Sequence, residues 1–213
     1  MTARERILAA IRDSLGPRRA APQAVAAEAA ALLENPQATR PRLAAPDLAE
    51  AFALKATALG TTIDHVPDMA GVPAALRRYL DAHGLPPALA LQPAAELARL
   101  DWDGIATRPT LAPDEPVGLG LAVWGIAETG SLVIHSGPDN PILLAFLPLH
   151  HVMVLRRDHL LAHLEGYAAA MQGAAQPRNA ILITGPSGTT DIEGSYVRGA
   201  HGPGFLHVIL VGP

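Results

Sequence analysis

From residue 47 onward, apolar positions fall into alternating helical and strand patterns. Helical spacing predicts helices over 47–60 and 72–84, each ended by a glycine, and a short helix over 94–102. Short apolar runs predict strands at 61–66, 87–92, 151–156, 177–184 and 205–211. Alternation of helices with apolar strands is typical of an α/β fold, so we expect a mostly parallel open sheet flanked by helices.

The middle of the chain is less regular. Two apolar runs, Val117–Trp124 and Ser131–His135, are joined by the sequence GIAETG and predict two further strands. A short helix is expected over 139–147. A longer helix is expected over 159–172, with Asp158 as its N-cap.

The first 46 residues have a different pattern. Thr2 and Glu5 have the spacing of a capping box, and an apolar face follows in a predicted helix over 2–15. That face would pack either on its own domain or on a partner. Prolines interrupt residues 16–46, apart from a short helical stretch at 24–34, so we expect a flexible linker there. The sequence therefore predicts an N-terminal helix and flexible linker (1–46) and one α/β domain (47–213).

Composition narrows the classes of function. The 213 residues include 49% hydrophobic and 17% charged residues, with a net charge of −4 and no long basic run, so nucleic acid is not an expected partner. The chain has no cysteine, which excludes disulfides and thiolate ligation of an iron–sulfur cluster by this chain. No fingerprint of a flavin or nicotinamide site follows a strand, and no cofactor or metal is predicted. With no membrane span or signal peptide expected, we predict a cytoplasmic protein.

A glycine- and hydroxyl-rich loop follows the predicted strand at 177–184. Glycines allow a ligand to approach the backbone, successive N–H groups form an anion cradle, and hydroxyls add donors. The alternative is an ordinary glycine-rich turn with hydroxyl caps. Two carboxylates near its end could hold an ion or a proton, or could be a capping and a solvated residue. The candidate ligand-binding residues of this loop are Gly185, Ser187, Gly188, Thr189, Thr190, Asp191 and Glu193.

Two further positions could carry chemistry. Glu128, followed by Thr129 and Gly130, is a lone carboxylate in an apolar hairpin, so it is either a buried functional acid or an exposed turn residue. His201 lies in a Gly/Pro-rich turn, where it could act as a base or simply bond a backbone carbonyl.

The other histidines give weaker signals. His159 and His163 would share the face of a solvated helix. His150 and His151 are adjacent in a predicted strand and should point to opposite faces, which makes them a poor joint ligand.

Three motifs together resemble the LutC/YkgG family, whose members carry a LUD domain. ITGPSGTTDIE (183–193) and HGP (201–203), followed by LHVIL (206–210), resemble its C-terminal signature, and AETGSLVI (127–134) resembles its central one. The resemblance covers essentially the whole chain. One difference is that Gly188 stands where the family usually has arginine, and Thr190 where it has alanine. If that arginine grips a carboxylate, its loss removes a contact worth roughly 1.5–3 kcal/mol.

The resemblance implies a fold similar to the NagB/RpiA/CoA-transferase sheet. It also implies that the chain acts together with two iron–sulfur partner subunits in the oxidation of L-lactate to pyruvate. The iron–sulfur clusters would lie in those partners. This chain would then be the cluster-free subunit, binding a small organic anion. Glu128 is a candidate catalytic residue by analogy with the glutamate nucleophile of CoA transferases. His201 is the second candidate, because a histidine in a fixed turn could act as a base.

Three hypotheses follow: the subunit just described, a stand-alone acyl- or CoA-type transferase using Glu128, and an assembly module without a ligand. Whether the chain is itself an enzyme stays open. We predict that Glu128, Ser187, Asp191 and His201 converge on one pocket at the carboxyl edge of the sheet.

Overall fold

A computed structural model describes residues 2–15, 20–34, 40–190 and 194–213. Contacts within the chain divide it into two compact units, Met1–Pro41 and Arg42–Pro213. The boundary predicted from sequence, between residues 46 and 47, remains a prediction.

The N-terminal unit contains two helices, α1 (Ala3–Ser14) and α2 (Pro22–Glu34). The predicted capping box is present, since the Thr2 N–H donates to Glu5 Oε2 at 2.7 Å and the Glu5 N–H donates to Thr2 Oγ1 at 3.3 Å. The apolar residues of the predicted face, Ile7, Leu8, Ile11 and Leu15, are all exposed. Helix α2 occupies the middle of the predicted linker. Residues 16–19 and 35–39 of that linker lie outside the described residues.

The C-terminal unit is built on a six-stranded sheet in which every pairing is parallel. Its strands stand in the order β1-β12-β7-β4-β2-β3. The four inner strands have apolar sequences that fit burial on both faces, as is usual in parallel sheets, whereas the two edge strands are more exposed. The bounds are β1 (Thr62–Val66), β2 (Ala88–Leu91), β3 (Ala106–Arg108), β4 (Val117–Leu121), β7 (His150–Arg156) and β12 (Phe205–Val211). This arrangement confirms the predicted α/β, mostly parallel open sheet.

A smaller mixed sheet and a hairpin complete the unit. The mixed sheet has the order β8-β5-β6-β9, with β5 antiparallel to β6 and β6 antiparallel to β9. Its strands are β5 (Trp124–Ile126), β6 (Ser131–His135), β8 (Leu160–Leu161) and β9 (Ala180–Ile183), and the separate hairpin is β10 (Gly188–Thr190) with β11 (Tyr196–Arg198).

Helices and the second sheet cover the two faces of the parallel sheet. On one face, α4 (Val72–Ala82) and α5 (Ala95–Ala98) share a core with Val152, Val154 and Ile209. On the other, α3 (Leu48–Ala58) and strands of the mixed sheet share a core with Met153 and Leu155. Consecutive residues of β7 thus enter opposite cores, as the two-residue period of a strand dictates. A last helix, α6 (Leu164–Ala170), follows β8.

The structure differs from what the sequence led us to expect in four respects. The strands at 131–135 and 180–183 belong to the mixed sheet, because the short connection after β5 folds back into an antiparallel hairpin. The helix expected over 159–172 begins only at Leu164, since Leu160 and Leu161 pair with β5 and so take extended backbone. Asp158 therefore caps no such helix, and the cap position of α6 is His163. Between 139 and 147 only a 3₁₀ turn, Ile142–Ala145, forms.

Candidate functional site

The glycine-rich motif and the HGP turn meet around one cavity of about 300 Å³, here called the motif cavity. Two main-chain hydrogen bonds hold them together: the Ser187 N–H donates to the Pro203 carbonyl at 2.8 Å, and the Gly199 N–H donates to the Ser187 carbonyl at 2.9 Å. Gly185, Ser187, Gly188 and His201, all predicted site residues, line the cavity.

The motif cavity lies at the amino edge of the parallel sheet. Its inner wall includes His151 and Leu206, the second residues of β7 and β12. The carboxyl-edge location predicted from the sequence is therefore wrong. That prediction assumed that the strand before the motif belongs to the parallel sheet, whereas this strand is β9 of the mixed sheet.

His151 is the residue of this cavity that sequence reasoning missed. His151 is only 1% exposed, and its Nδ1 has no hydrogen-bond partner among the described residues. Burial lowers the pKa of His151 to about 4, so the ring is neutral at pH 7 and can donate through one nitrogen and accept through the other. A buried polar atom without a partner is uncommon in proteins, so this nitrogen distinguishes His151 from the other buried residues of the cavity wall.

The neighbouring His150 serves the opposite face of the sheet, as the strand period predicted. Its Nδ1 lies 2.8 Å from the Tyr79 hydroxyl, and its ring stacks on Phe205 with centroids 4.3 Å apart. Tyr79 also stacks on His207 at 4.3 Å. These contacts make His150 part of an aromatic cluster beneath α4, separate from the motif cavity.

A side chain at position 188 would meet the ring of Tyr196. A Cβ built on Gly188 would lie 2.1 Å from the Tyr196 hydroxyl oxygen, so Tyr196 occupies the space that a side chain at this position would need. Directly across the hairpin, Arg198 pairs with Gly188, and its guanidinium lies 5.1 Å from the centroid of the Phe205 ring. Arg198 is thus the cross-strand neighbour of the position at which the resemblance leads us to expect an arginine.

The structure does not bring every predicted site residue to the motif cavity. Thr189 and Thr190 lie in β10 and are not part of its described lining. Asp191 and Glu193 lie outside the described residues. Glu128, Thr129 and Gly130 are also not among the described residues that line it.

Both oxygens of the Glu128 carboxylate have hydrogen-bond partners within the protein. Its Oε2 lies 2.8 Å from His163 Nδ1, and its Oε1 accepts a hydrogen bond of 2.8 Å from the Leu164 N–H at the first turn of α6. The Glu128 side chain is 10% exposed and the His163 side chain 17%. Both oxygens of the carboxylate are therefore engaged within the protein, an arrangement that favours a capping role.

The central signature also packs two elements together. Gly130 has φ +69°, and a Cβ there would lie 2.4 Å from the Ala56 backbone nitrogen, so only glycine lets this turn lie against α3. Beside it, hydroxyls form a chain: Thr129 to Ser131 at 2.7 Å and Ser131 to Thr184 at 2.7 Å. Since Thr184 lines the motif cavity, this chain links the central signature to the cavity wall.

Neither a metal site nor a membrane-spanning helix is present in the described parts of the chain. These parts contain no group of three or more histidine, aspartate or glutamate side chains arranged to hold a metal ion. They also contain no helix with the length and apolar character that crossing a membrane requires.

Comparison with known proteins gives partial sequence matches and one structural match. The chain is 36% identical over 95 residues to lactate utilization protein C of Deinococcus radiodurans, covering 44% of each chain. It is 33% identical over 109 residues to YkgG of Escherichia coli, covering 48% of this chain and 47% of that one. The matched part thus spans less than half the length of these two relatives.

The structural match concerns the fold. A crystal structure of a DUF162 family protein from Deinococcus radiodurans superposes with a TM-score of 0.58 and 24% sequence identity, covering 78% of this chain and 96% of that one. The family comparison reaches further along the sequence, because the family described as the LUD domain matches residues 49–211. That range contains both signatures and every strand of the two sheets, and the chain therefore belongs to the LUD-domain family, as its resemblance to LutC and YkgG indicated.

Proposed function

We propose that this protein is the cluster-free subunit of a bacterial L-lactate utilisation system and that it binds a small organic anion in the motif cavity. Two relatives in its family are named for lactate utilisation or as YkgG. With no cysteine in the chain, oxidation of lactate to pyruvate would pass its electrons through two iron–sulfur partner proteins.

The observation that carries the ligand site is the meeting of His151, Ser187 and His201 around one cavity. His151 contributes a buried nitrogen without a partner, and Ser187 contributes a hydroxyl beside glycine-rich backbone. Hydrogen-bond donors held in a partly enclosed site bind carboxylates without needing a full positive charge. The cavity, at about 300 Å³, lies at the lower end of the range for small-molecule sites.

Titration calorimetry with L-lactate and with pyruvate tests the ligand site. We expect saturable binding of at least one of them to the wild type, weakened about tenfold in Ser187→Ala and in His151→Phe. Thr110→Ala, which removes an exposed hydroxyl outside the cavity, is the matched control. Binding that is equally strong in all three variants would remove the motif cavity as the site.

Reconstitution tests the subunit role. The chain should co-purify with its two cysteine-rich iron–sulfur partners, and the complex should oxidise L-lactate with an electron acceptor. Omitting this chain should abolish or sharply reduce the rate. Full activity of the two partners alone would contradict the proposal.

The rival functions make different predictions. A stand-alone acyl- or CoA-type transferase would form an acyl intermediate on Glu128 that hydroxylamine or borohydride traps. The two hydrogen bonds that engage the Glu128 carboxylate make its oxygens less available for such an attack. An assembly module would join the complex without binding either lactate or pyruvate.

A further inference from the structure

The parallel sheet has a point at which its connections change direction. After β2 the chain moves outward to β3, whereas after β4 it moves the opposite way to β7, although β2 and β4 are neighbours. Connections that leave two adjacent strands in opposite directions open a crevice beyond their carboxyl ends. In open α/β sheets this crevice is where ligands bind.

Two adjoining cavities fill this crevice, one of about 430 Å³ and one of about 240 Å³. Gln92, the residue that follows β2, lines both of them, and we call the joint space the carboxyl-edge cleft. The larger cavity is bounded mainly by apolar side chains, including Trp102 and Pro109. The lining of the smaller one includes the charged side chains of Glu96 and Arg156. The cleft lies at the edge of the sheet opposite the motif cavity.

Gln92 is a fixed donor inside the cleft. Gln92 is 7% exposed. Its Oε1 accepts a hydrogen bond of 2.7 Å from the Leu121 N–H, and this bond sets the orientation of the amide. No acceptor for its Nε2 exists among residues 40–190 and 194–213 or in the described N-terminal segments. A nearly buried amide held at one end and unused at the other is suited to a ligand that presents an acceptor.

The two arginines on the walls are paired with carboxylates. Arg108 donates to both oxygens of Glu115 at 2.6 Å, and Arg156 forms a hydrogen-bonded ion pair with Glu96. Asp139 adds a further carboxylate to the lining of the larger cavity. Such walls attract free anions weakly and favour an uncharged ligand with hydrogen-bonding edges.

The larger cavity also offers an aromatic wall. The Trp102 indole is held by a hydrogen bond of 2.9 Å from its Nε1 to the Leu97 carbonyl, and its ring lines the cavity. An aromatic ring among prolines and alanines is suited to a planar heterocycle, because stacking on tryptophan is favourable for any base.

From these contacts we propose that the carboxyl-edge cleft binds a nucleoside. The base lies in the larger cavity against Trp102, with a ring nitrogen or carbonyl oxygen accepting from Gln92 Nε2. The ribose extends into the smaller cavity, where the Glu96 carboxylate accepts from its hydroxyls. This site is additional to the motif cavity and does not depend on the function proposed for that cavity.

Fluorescence and NMR of the full-length protein test the proposal with adenosine, guanosine, cytidine and uridine as probes. Trp102 and Trp124 are the two tryptophans of the chain, so the Trp124→Phe variant reports on Trp102 alone. We expect at least one nucleoside to quench Trp102 saturably and to shift the side-chain amide resonance of Gln92 in the wild type. The nucleoside that binds should do so at least as tightly as its own monophosphate.

Gln92→Glu is the diagnostic substitution, because it keeps an oxygen for the Leu121 N–H and removes the donor. We expect it to weaken nucleoside binding at least about tenfold. Gln172→Glu, the same change at an exposed position, should leave affinity unaltered. The proposal is overturned if no nucleoside binds the wild type, if binding requires the phosphate, or if the bound nucleoside leaves the Gln92 amide resonance unshifted. The amide measurement needs no substitution, so it decides the matter even if Gln92→Glu fails to fold.

Discussion

Nδ1 of His163 and Oε2 of Glu128 lie 2.8 Å apart, although 35 residues separate the two in sequence. The same carboxylate accepts the Leu164 N–H, so one side chain from the turn after β5 anchors the start of α6. Free N–H groups at a helix start need such acceptors. Glu128 therefore contributes to the stability of the domain whether or not it also contributes to chemistry.

Removing this acceptor should destabilise the domain. Glu128→Ala leaves the Leu164 N–H and the His163 ring without their partner and should lower the free energy of unfolding by about 1–3 kcal/mol. Glu128→Gln keeps one oxygen and should cost less. Urea unfolding measures both, with the 77%-exposed Asp158 as control, where alanine should change stability by less than about 0.5 kcal/mol. Unchanged stability in Glu128→Ala would show that this capping contact is not needed.

Substitution of Gly130 should be more damaging than that of other left-handed glycines. Gly130→Ala combines an unfavourable φ of +69° with a Cβ 2.4 Å from the Ala56 nitrogen, and should cost at least about 3 kcal/mol. Gly84 has a similar φ of +62°, but a Cβ at this position would meet no atom within 4 Å, so Gly84→Ala should cost only about 1–2 kcal/mol. Equal losses in thermal or urea unfolding would mean that the contact with α3 adjusts freely.

Stability should fall in mild acid. Burial lowers the pKa of His151 and of His207 to about 4; for His207, Asp64 opposes this effect while His83 and Arg78 add to it. Because both folded-state values lie below the ordinary 6.5, the unfolded chain binds more protons between pH 4 and 6.5. The contribution of these rings is therefore complete above pH 6.5 and is lost as pH falls, by up to roughly 3 kcal/mol each at pH 4.

Urea unfolding across this pH range checks the effect. His151→Leu should flatten the pH dependence by the share of one histidine. His201→Gln, which changes an exposed ring, should leave it unaltered. A pH dependence that is the same in the wild type and in His151→Leu would contradict the assignment to buried rings.

The missing family arginine offers a gain-of-function test. Gly188→Arg alone requires the Tyr196 ring, which is 62% exposed, to move aside, whereas Gly188→Arg with Tyr196→Ala requires no such movement. If the motif cavity binds a carboxylate, the double variant should bind pyruvate or lactate several-fold more tightly than the wild type in calorimetry, since a charge-assisted contact is restored. Tyr196→Ala by itself is the control and should not raise the affinity.

Local patterns predicted most elements of the larger unit. Helices α3 and α4 and strands β1, β2, β7 and β12 have strong periods and flanking glycines or prolines, and each lies where expected. The misplaced elements depended on partners distant in sequence. Leu160 and Leu161 look helical locally, but pairing with β5 decides their conformation. Likewise, nothing near β9 indicates that it pairs antiparallel with β6.

The candidate site shows the same division. Glycines and hydroxyls identified the motif loop from sequence, and Ser187 and His201 do share a cavity. The roles of His151, His163 and Tyr196 were not predictable, because each depends on a contact formed across the tertiary fold. Alternation along β7 did predict that His150 and His151 face opposite sides of the sheet, but it did not predict which of them lines the motif cavity.

That alternation has a consequence for insertions and deletions. A slip of β7 by one residue against β4 and β12 would reverse the facing of both imidazoles. His150, now bonded to Tyr79, would turn to the side of the motif cavity, and His151 would turn to the side of α4. A slip of two residues would restore the facing of every side chain. Length changes at the start of this strand should therefore be tolerated in even steps and not in odd ones, independently of which amino acids are added.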